Sequence, residues 1–117
     1  MDIFKRSDVP RTLLPGRFIQ RAIGRDSYSA SKVMTVGFAH YSAEAGPMEP
    51  HQHAEEAIYV IDAKDGRVEY GGTKERLQNR VELHPGMVLH VPEGEWHVFR
   101  YGEGGFVDIV FVYAQVI

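Results

Sequence analysis

A chain of 117 residues, 44% hydrophobic and 25% charged, has the size and composition of a single globular domain and is too short for two separate cores. Its net charge of −3 supplies no electrostatic pull toward nucleic acid or an anionic membrane, so neither partner is expected. No apolar run approaches the roughly 20 residues that cross a bilayer, residues 1–8 hold no apolar stretch of signal-peptide length, and a cytoplasmic location is expected.

Residues 1–14 are polar and carry Pro10, so they are expected to form an arm or an edge strand ahead of one domain over 15–117. Glycine and proline cut that domain into short apolar segments. Residues 18–23 alternate after Pro15-Gly16, and 32–41 carry Val33, Thr35, Val36 and Phe38, all good strand formers. Residues 57–61 make the next strand, with Asp65-Gly66 read as a hairpin turn into 67–70. Gly71-Gly72 turns again, and 73–80 offers only Leu77 for burial, so a loop is expected there. Residues 81–83 run into His84-Pro85-Gly86, and further strands are expected over 87–91, 97–101 and 106–113. No helical stripe interrupts them. Short strands separated by turn signals predict an all-β sandwich or barrel.

Without cysteine there are no disulfides and no thiolate ligands, so a metal would be held by imidazole nitrogen and carboxylate oxygen. His51-Gln52-His53 follows the turn-rich Gly46-Pro47-Met48-Glu49-Pro50. In an extended segment, residues i and i+2 share a face, so both imidazoles converge on one point. Six histidines in this length would produce such a pair by chance roughly 0.3 times, so the pair alone decides little. Glu55 and Glu56 come next, at the start of Ala57-Ile58-Tyr59-Val60-Ile61. Glu56 shares a strand face with Ile58 and Val60, Glu55 with Ala57 and Tyr59, and the residues alone leave open which carboxylate faces inward. A carboxylate on an apolar face needs a cation or hydrogen-bond donors to offset its burial.

The second half holds Gly86, Pro92, Gly94 and His97 in the pattern Gly-x5-Pro-x-Gly-x2-His. Pro92 and Gly94 suit a tight reversal between strands, and His97 opens the next one. At this composition the pattern arises by chance roughly 0.003 times, which makes its spacing the stronger signal.

Together the two segments resemble the motifs of the cupin superfamily. The second motif keeps every interval and ends on Tyr101 where the family has Asn. The first is shorter by one residue between Gly46 and His51 and by one between His53 and Glu56, and its closing glycine is displaced by Asp62-Ala63-Lys64-Asp65-Gly66. The motifs span residues 46–101. The resemblance implies a six- to eight-stranded antiparallel jelly-roll barrel around one divalent transition metal, with Fe, Mn, Zn and Ni as candidates. Carried over by position, the ligands are His51, His53, Glu56 and His97, with Glu55 as the alternative carboxylate. It also implies a homodimer, for which the outward members of 106–113 with Ile3 and Phe4 are candidate contacts.

Other residues have two readings each. Tyr101 shares a face with His97 and Phe99, which makes it the candidate catalytic hydroxyl, or else a core tyrosine paired to backbone. His40 and His90 are cavity or outward residues, and His84 a solvated turn residue. Arg17 and Arg100 would bind a substrate carboxylate or simply lie on the surface, and Trp96 would stack on substrate or pack at the rim. The function expected is that of a metal-dependent enzyme, of dioxygenase or of isomerase and lyase type, on a small organic acid, sugar or phenolic metabolite. The alternative is a non-catalytic small-molecule-binding module.

Overall fold

Apolar alternation converts into eight strands: β1 (Arg11–Leu14), β2 (Arg17–Gly24), β3 (Ser29–Ala30), β4 (Met34–Ser42), β5 (Glu56–Gly71), β6 (Asn79–Glu82), β7 (Val88–Val91) and β8 (Trp96–Ala114). The computed structural model describes residues 1–114, so the last three residues of the domain expected over 15–117 lie outside the described residues. The strands run in the order β1-β2-β4-β8-β5-β6, with β3 attached to β2 and β7 to β5. All pairings are antiparallel except the two-residue contact of β2 with β3. Among the described residues helix is confined to two single 3-10 turns, Arg6–Asp8 and Ala43–Ala45.

Two long strands shape the molecule. β5 pairs with β7 and with the end of β8 over its first part, then with β6 and the start of β8 over its second. The hairpin expected at Asp65-Gly66 is therefore corrected: the chain bends there and continues along the same partner. Asp65 takes a positive φ of 52°, and the register with β8 shifts between Lys64 and Gly66. Asp-Gly suits a bulge as well as a two-residue turn, because both need left-handed backbone. Gly66 is also needed for space, since a Cβ there would lie 2.5 Å from Val107 Cγ2 and 2.9 Å from the Phe106 carbonyl oxygen.

Alternate residues point inward as a half-buried strand requires. Ala39 and Tyr41 of β4, Ile58 and Val60 of β5, and Val107, Ile109 and Phe111 of β8 form one buried cluster with Val98 and Phe99. Glu56 belongs to the same face as Ile58 and Val60 and is 6% exposed. Of the outward residues considered for a dimer contact, Phe106 stacks on His40 and Phe4 packs on Tyr28, while Ile3 and Val112 stay exposed.

The N-terminal segment is fastened to the outside of this sheet. Arg6 makes a bidentate pair with Asp108 of β8 at 2.7 and 2.8 Å, donates to Gln20 of β2, and covers the Phe38 ring. His40 Nδ1 lies 3.1 Å from the same carboxylate. Burial alone would raise the Asp108 pKa, but the Arg6 hydrogen bonds and charge, with those of His40, outweigh it and hold the carboxyl below its usual range. A lowered carboxylate pKa contributes stability above the unfolded-chain value and loses it as pH falls through the folded value. Arg6→Ala is expected to cost about 1–3 kcal/mol at pH 7, with the difference from wild type shrinking below about pH 4. Urea denaturation across pH measures both, and an unchanged midpoint at pH 7 would show that the pair does not hold the segment.

Candidate metal centre

The sequence brings three imidazoles together by backbone pairing. His51 and His97 form a two-way bridge, each amide donating to the other's carbonyl at 3.0 and 2.9 Å. Gly94, in the Pro-x-Gly turn at φ 78°, donates its amide to the His53 carbonyl at 3.0 Å. The turn before β8 thus grips the segment before β5, which explains why the two motifs meet. The ring centroids of His51 lie 4.4 Å from His97 and 5.2 Å from His53, and the nitrogens of all three are within 4.8 Å of one another.

Backbone carbonyls orient the rings. His97 Nδ1 faces the Glu95 carbonyl at 2.9 Å and His53 Nδ1 the Ala54 carbonyl at 3.0 Å, while His51 makes a backbone hydrogen bond at Glu49. A ring nitrogen facing a carbonyl carries the proton, which leaves Nε2 of His53 and His97 with a free lone pair. His97 Nε2 is buried and has no hydrogen-bond partner. A polar atom left so is costly unless something electron-poor meets it.

Glu56 lies beside two of these imidazoles and could add a fourth donor. Its Oε1 lies 3.5 Å from His53 Nε2 and 3.8 Å from His97 Nε2. Two donors each about 2.1 Å from one ion are at most about 4.2 Å apart, so these separations are compatible with a shared cation. Burial lowers the His51 pKa to about 3, helped by His97 and His53, and burial lowers His97 as well. Both are neutral at physiological pH, as ligands must be. Burial also pushes Glu56 up to about 7, the behaviour of a carboxylate whose charge nothing offsets. The orphaned Nε2, the fixed tautomers and the buried carboxylate all fit a divalent metal. Three histidines here can hold one.

The donor set opens into a cavity of about 520 Å³ lined by Tyr41, Phe99, Phe111, Tyr113 and Arg17 among others. Glu55 faces the other way, pairing with His90 at 2.6 Å on the exterior. His40 is likewise outside, on Asp108, and Arg100 is bonded to Glu69. His84 is exposed in its turn, and Trp96 lies outside the cavity lining. Of its two readings, Tyr101 is placed as the tyrosine paired to backbone. It does not line the cavity, and its hydroxyl donates to the Gly46 carbonyl at 3.2 Å. Four residues along a strand separate it from His97 by about 13 Å. The tyrosines that do line the cavity are Tyr41 and Tyr113. Tyr113 sits directly across the ladder from Glu56, with its ring 5.8 Å from that of His53. Nothing local in the sequence marked it, because this neighbour is set by pairing between distant strands.

The fold and the donor set together define a barrel with a histidine-rich centre. No protein-family model matches this chain, and no curated protein does. Solved structures do. The polyketide cyclase RemF from Streptomyces resistomycificus aligns with a TM-score of 0.76 at 24% identity, over 97% of this chain and 79% of that one. The DMSP lyase DddQ from Ruegeria pomeroyi DSS-3 aligns at 0.73 and 18%, over 95% of this chain and 58% of that one. Hydroxypropylphosphonic acid epoxidase from S. wedmorenis gives 0.70 and 15%, over 96% and 58%. The shared architecture is the cupin barrel, and this chain has the cupin fold. No described helix is long and apolar enough to cross a membrane.

Proposed function

We propose that the protein is a metal-dependent enzyme of isomerase or lyase type, its ion held by His51, His53, His97 and Glu56. The observation that supports it is the buried, unpartnered Nε2 of His97 at the head of a roomy cavity. Neighbours of one fold that include a cyclase, a lyase and an epoxidase select no single chemistry. The side chains around the centre favour proton transfer. A bound divalent ion would polarise a substrate carbonyl or hydroxyl. Burial raises the pKa of both Tyr41 and Tyr113, so both remain phenols at neutral pH. Tyr113, beside His53, then donates a hydrogen bond to a substrate oxygen as that oxygen gains charge, and Tyr41 holds a second position deeper in the barrel. The apolar residues Ile19, Ile109 and Phe111 keep bulk water from the reacting atoms.

The test is solvent exchange. Metal-loaded protein incubated under argon in D2O with keto-acid, sugar and phenolic panels is expected to incorporate deuterium, read by proton NMR. Tyr113→Phe is expected to reduce the exchange rate on the order of 100-fold with KM little changed. Turnover that strictly requires O2 would replace this reading with the dioxygenase one. Absence of both exchange and oxygen uptake across the panels would leave the non-catalytic binding module.

A further inference from the structure

The cavity wall carries a cation that the metal centre does not use. Arg17 opens β2 and shares its face with Ile19, which also lines the cavity. Its Nη1 donates to the Pro15 carbonyl at 3.0 Å, which steadies the guanidinium and leaves its other donors available. Among the described residues Arg17 is the only arginine or lysine in that lining, and no carboxylate forms a salt bridge with it.

Size and lining narrow the occupant further. A cavity of about 520 Å³ suits a body of drug-like size, and an acid of a few heavy atoms would leave most of it unfilled. Its walls are two aromatic pairs, Tyr41 with Phe99 at 4.8 Å and Phe111 with Tyr113 stacked at 5.7 Å. Flat apolar faces of this kind suit a ring system, and a steadied guanidinium suits an oxyanion held by two parallel hydrogen bonds.

Resting on the metal-dependent reading above, we infer that the substrate is an aromatic or fused-ring molecule bearing a carboxylate or phenolate. Arg17 binds the oxyanion, the four aromatic side chains flank the ring, and the remaining edge reaches the centre formed by His51, His53 and His97. Arg17 is thus the residue that selects charged over neutral substrates of one shape.

The test uses 2-naphthoate, its neutral counterpart 2-naphthylmethanol, and acetate as probes, titrated calorimetrically into metal-stripped and zinc-loaded protein. Wild type is expected to bind 2-naphthoate in both forms and acetate in neither detectably. Arg17→Gln is expected to weaken 2-naphthoate by about tenfold or more in the metal-stripped protein while leaving 2-naphthylmethanol unchanged. Arg17→Lys, which keeps the charge without the fork, is expected to fall between. Equal affinity of 2-naphthoate for wild type and Arg17→Gln would overturn the role of Arg17. Acetate binding as tightly as 2-naphthoate would overturn the aromatic class. Elemental analysis after loading with Fe, Mn, Zn or Ni separates the two levels: a chain that takes up none of them removes the enzyme reading, whereas the metal-stripped titrations still decide Arg17.

Discussion

Replacing His51 and His53 together with alanine is expected to lower bound divalent metal from about one ion per chain to near zero while leaving the barrel folded. Both residues precede β5, and both are only partly buried, so truncation removes donors without opening the core. The bridge between His51 and His97 is made by main-chain atoms and survives the change. His97 is the worse residue to remove, since it is 2% exposed and its loss would leave a void beside Phe99. In the double variant only His97 and Glu56 remain, too few donors for a stable site. Elemental analysis after gel filtration reads the metal, and circular dichroism reads the fold. Zinc at about 1,000 times its dissociation constant should stabilise wild type by about 4 kcal/mol and the double variant hardly at all. Unchanged metal per chain in the variant would remove the centre as assigned.

Local rules made much of this legible in advance. Two-residue alternation in Glu56-Ala57-Ile58-Tyr59-Val60 correctly separates a buried from an exposed face, and β5 has that pattern. The Pro92-Glu93-Gly94 spacing announces a tight turn, and Gly94 takes the left-handed backbone there. What the chain did not announce depends on which strands meet and how far along. Asp65-Gly66 carries the chemistry of a hairpin, yet β8 runs beside both halves of β5 and the chain bends without reversing. Tyr101 shares its parity with His97 and Phe99, which line the cavity, but parity says nothing of depth. Tyr113 looks like one more apolar-strand residue until β8 is laid against β5 in register, which brings it opposite a carboxylate 57 positions away. Arg17 stood out after its turn as either a carboxylate binder or a surface charge, and only the walls from β4 and β8 place it in the cavity lining.

Glu56→Gln is expected to change stability in opposite directions with and without metal. In metal-stripped protein the carboxyl is buried, with no cation near it, and its pKa rises from 4.5 to about 7. A raised carboxyl pKa means the folded chain holds its proton more tightly than the unfolded chain. Stability on this account falls as pH climbs from about 4.5 to about 7 and then levels off. The rise corresponds to roughly 3 kcal/mol lost by pH 8, which the neutral, equally sized glutamine avoids. His51 acts the other way. Its pKa falls from 6.5 to about 3, so it adds stability as pH climbs across that window. With chelator present, Glu56→Gln should therefore be more stable than wild type at pH 8 and lose the decline between pH 4.5 and 7, leaving exposed the rise that His51 and His97 contribute in the same direction. With zinc present the order reverses, because the ion offsets the carboxylate charge and glutamine supplies a weaker, neutral donor. Zinc affinity is expected to drop by at least the 10–100-fold typical of losing a ligand's supporting partner. Urea denaturation from pH 4 to pH 8, with chelator and with zinc, reads both arms. If Glu56→Gln destabilised the stripped protein at pH 8, Glu56 would be an internal hydrogen-bond acceptor that the fold itself requires. A crossing between the two conditions identifies a side chain kept charged and buried for the sake of an ion.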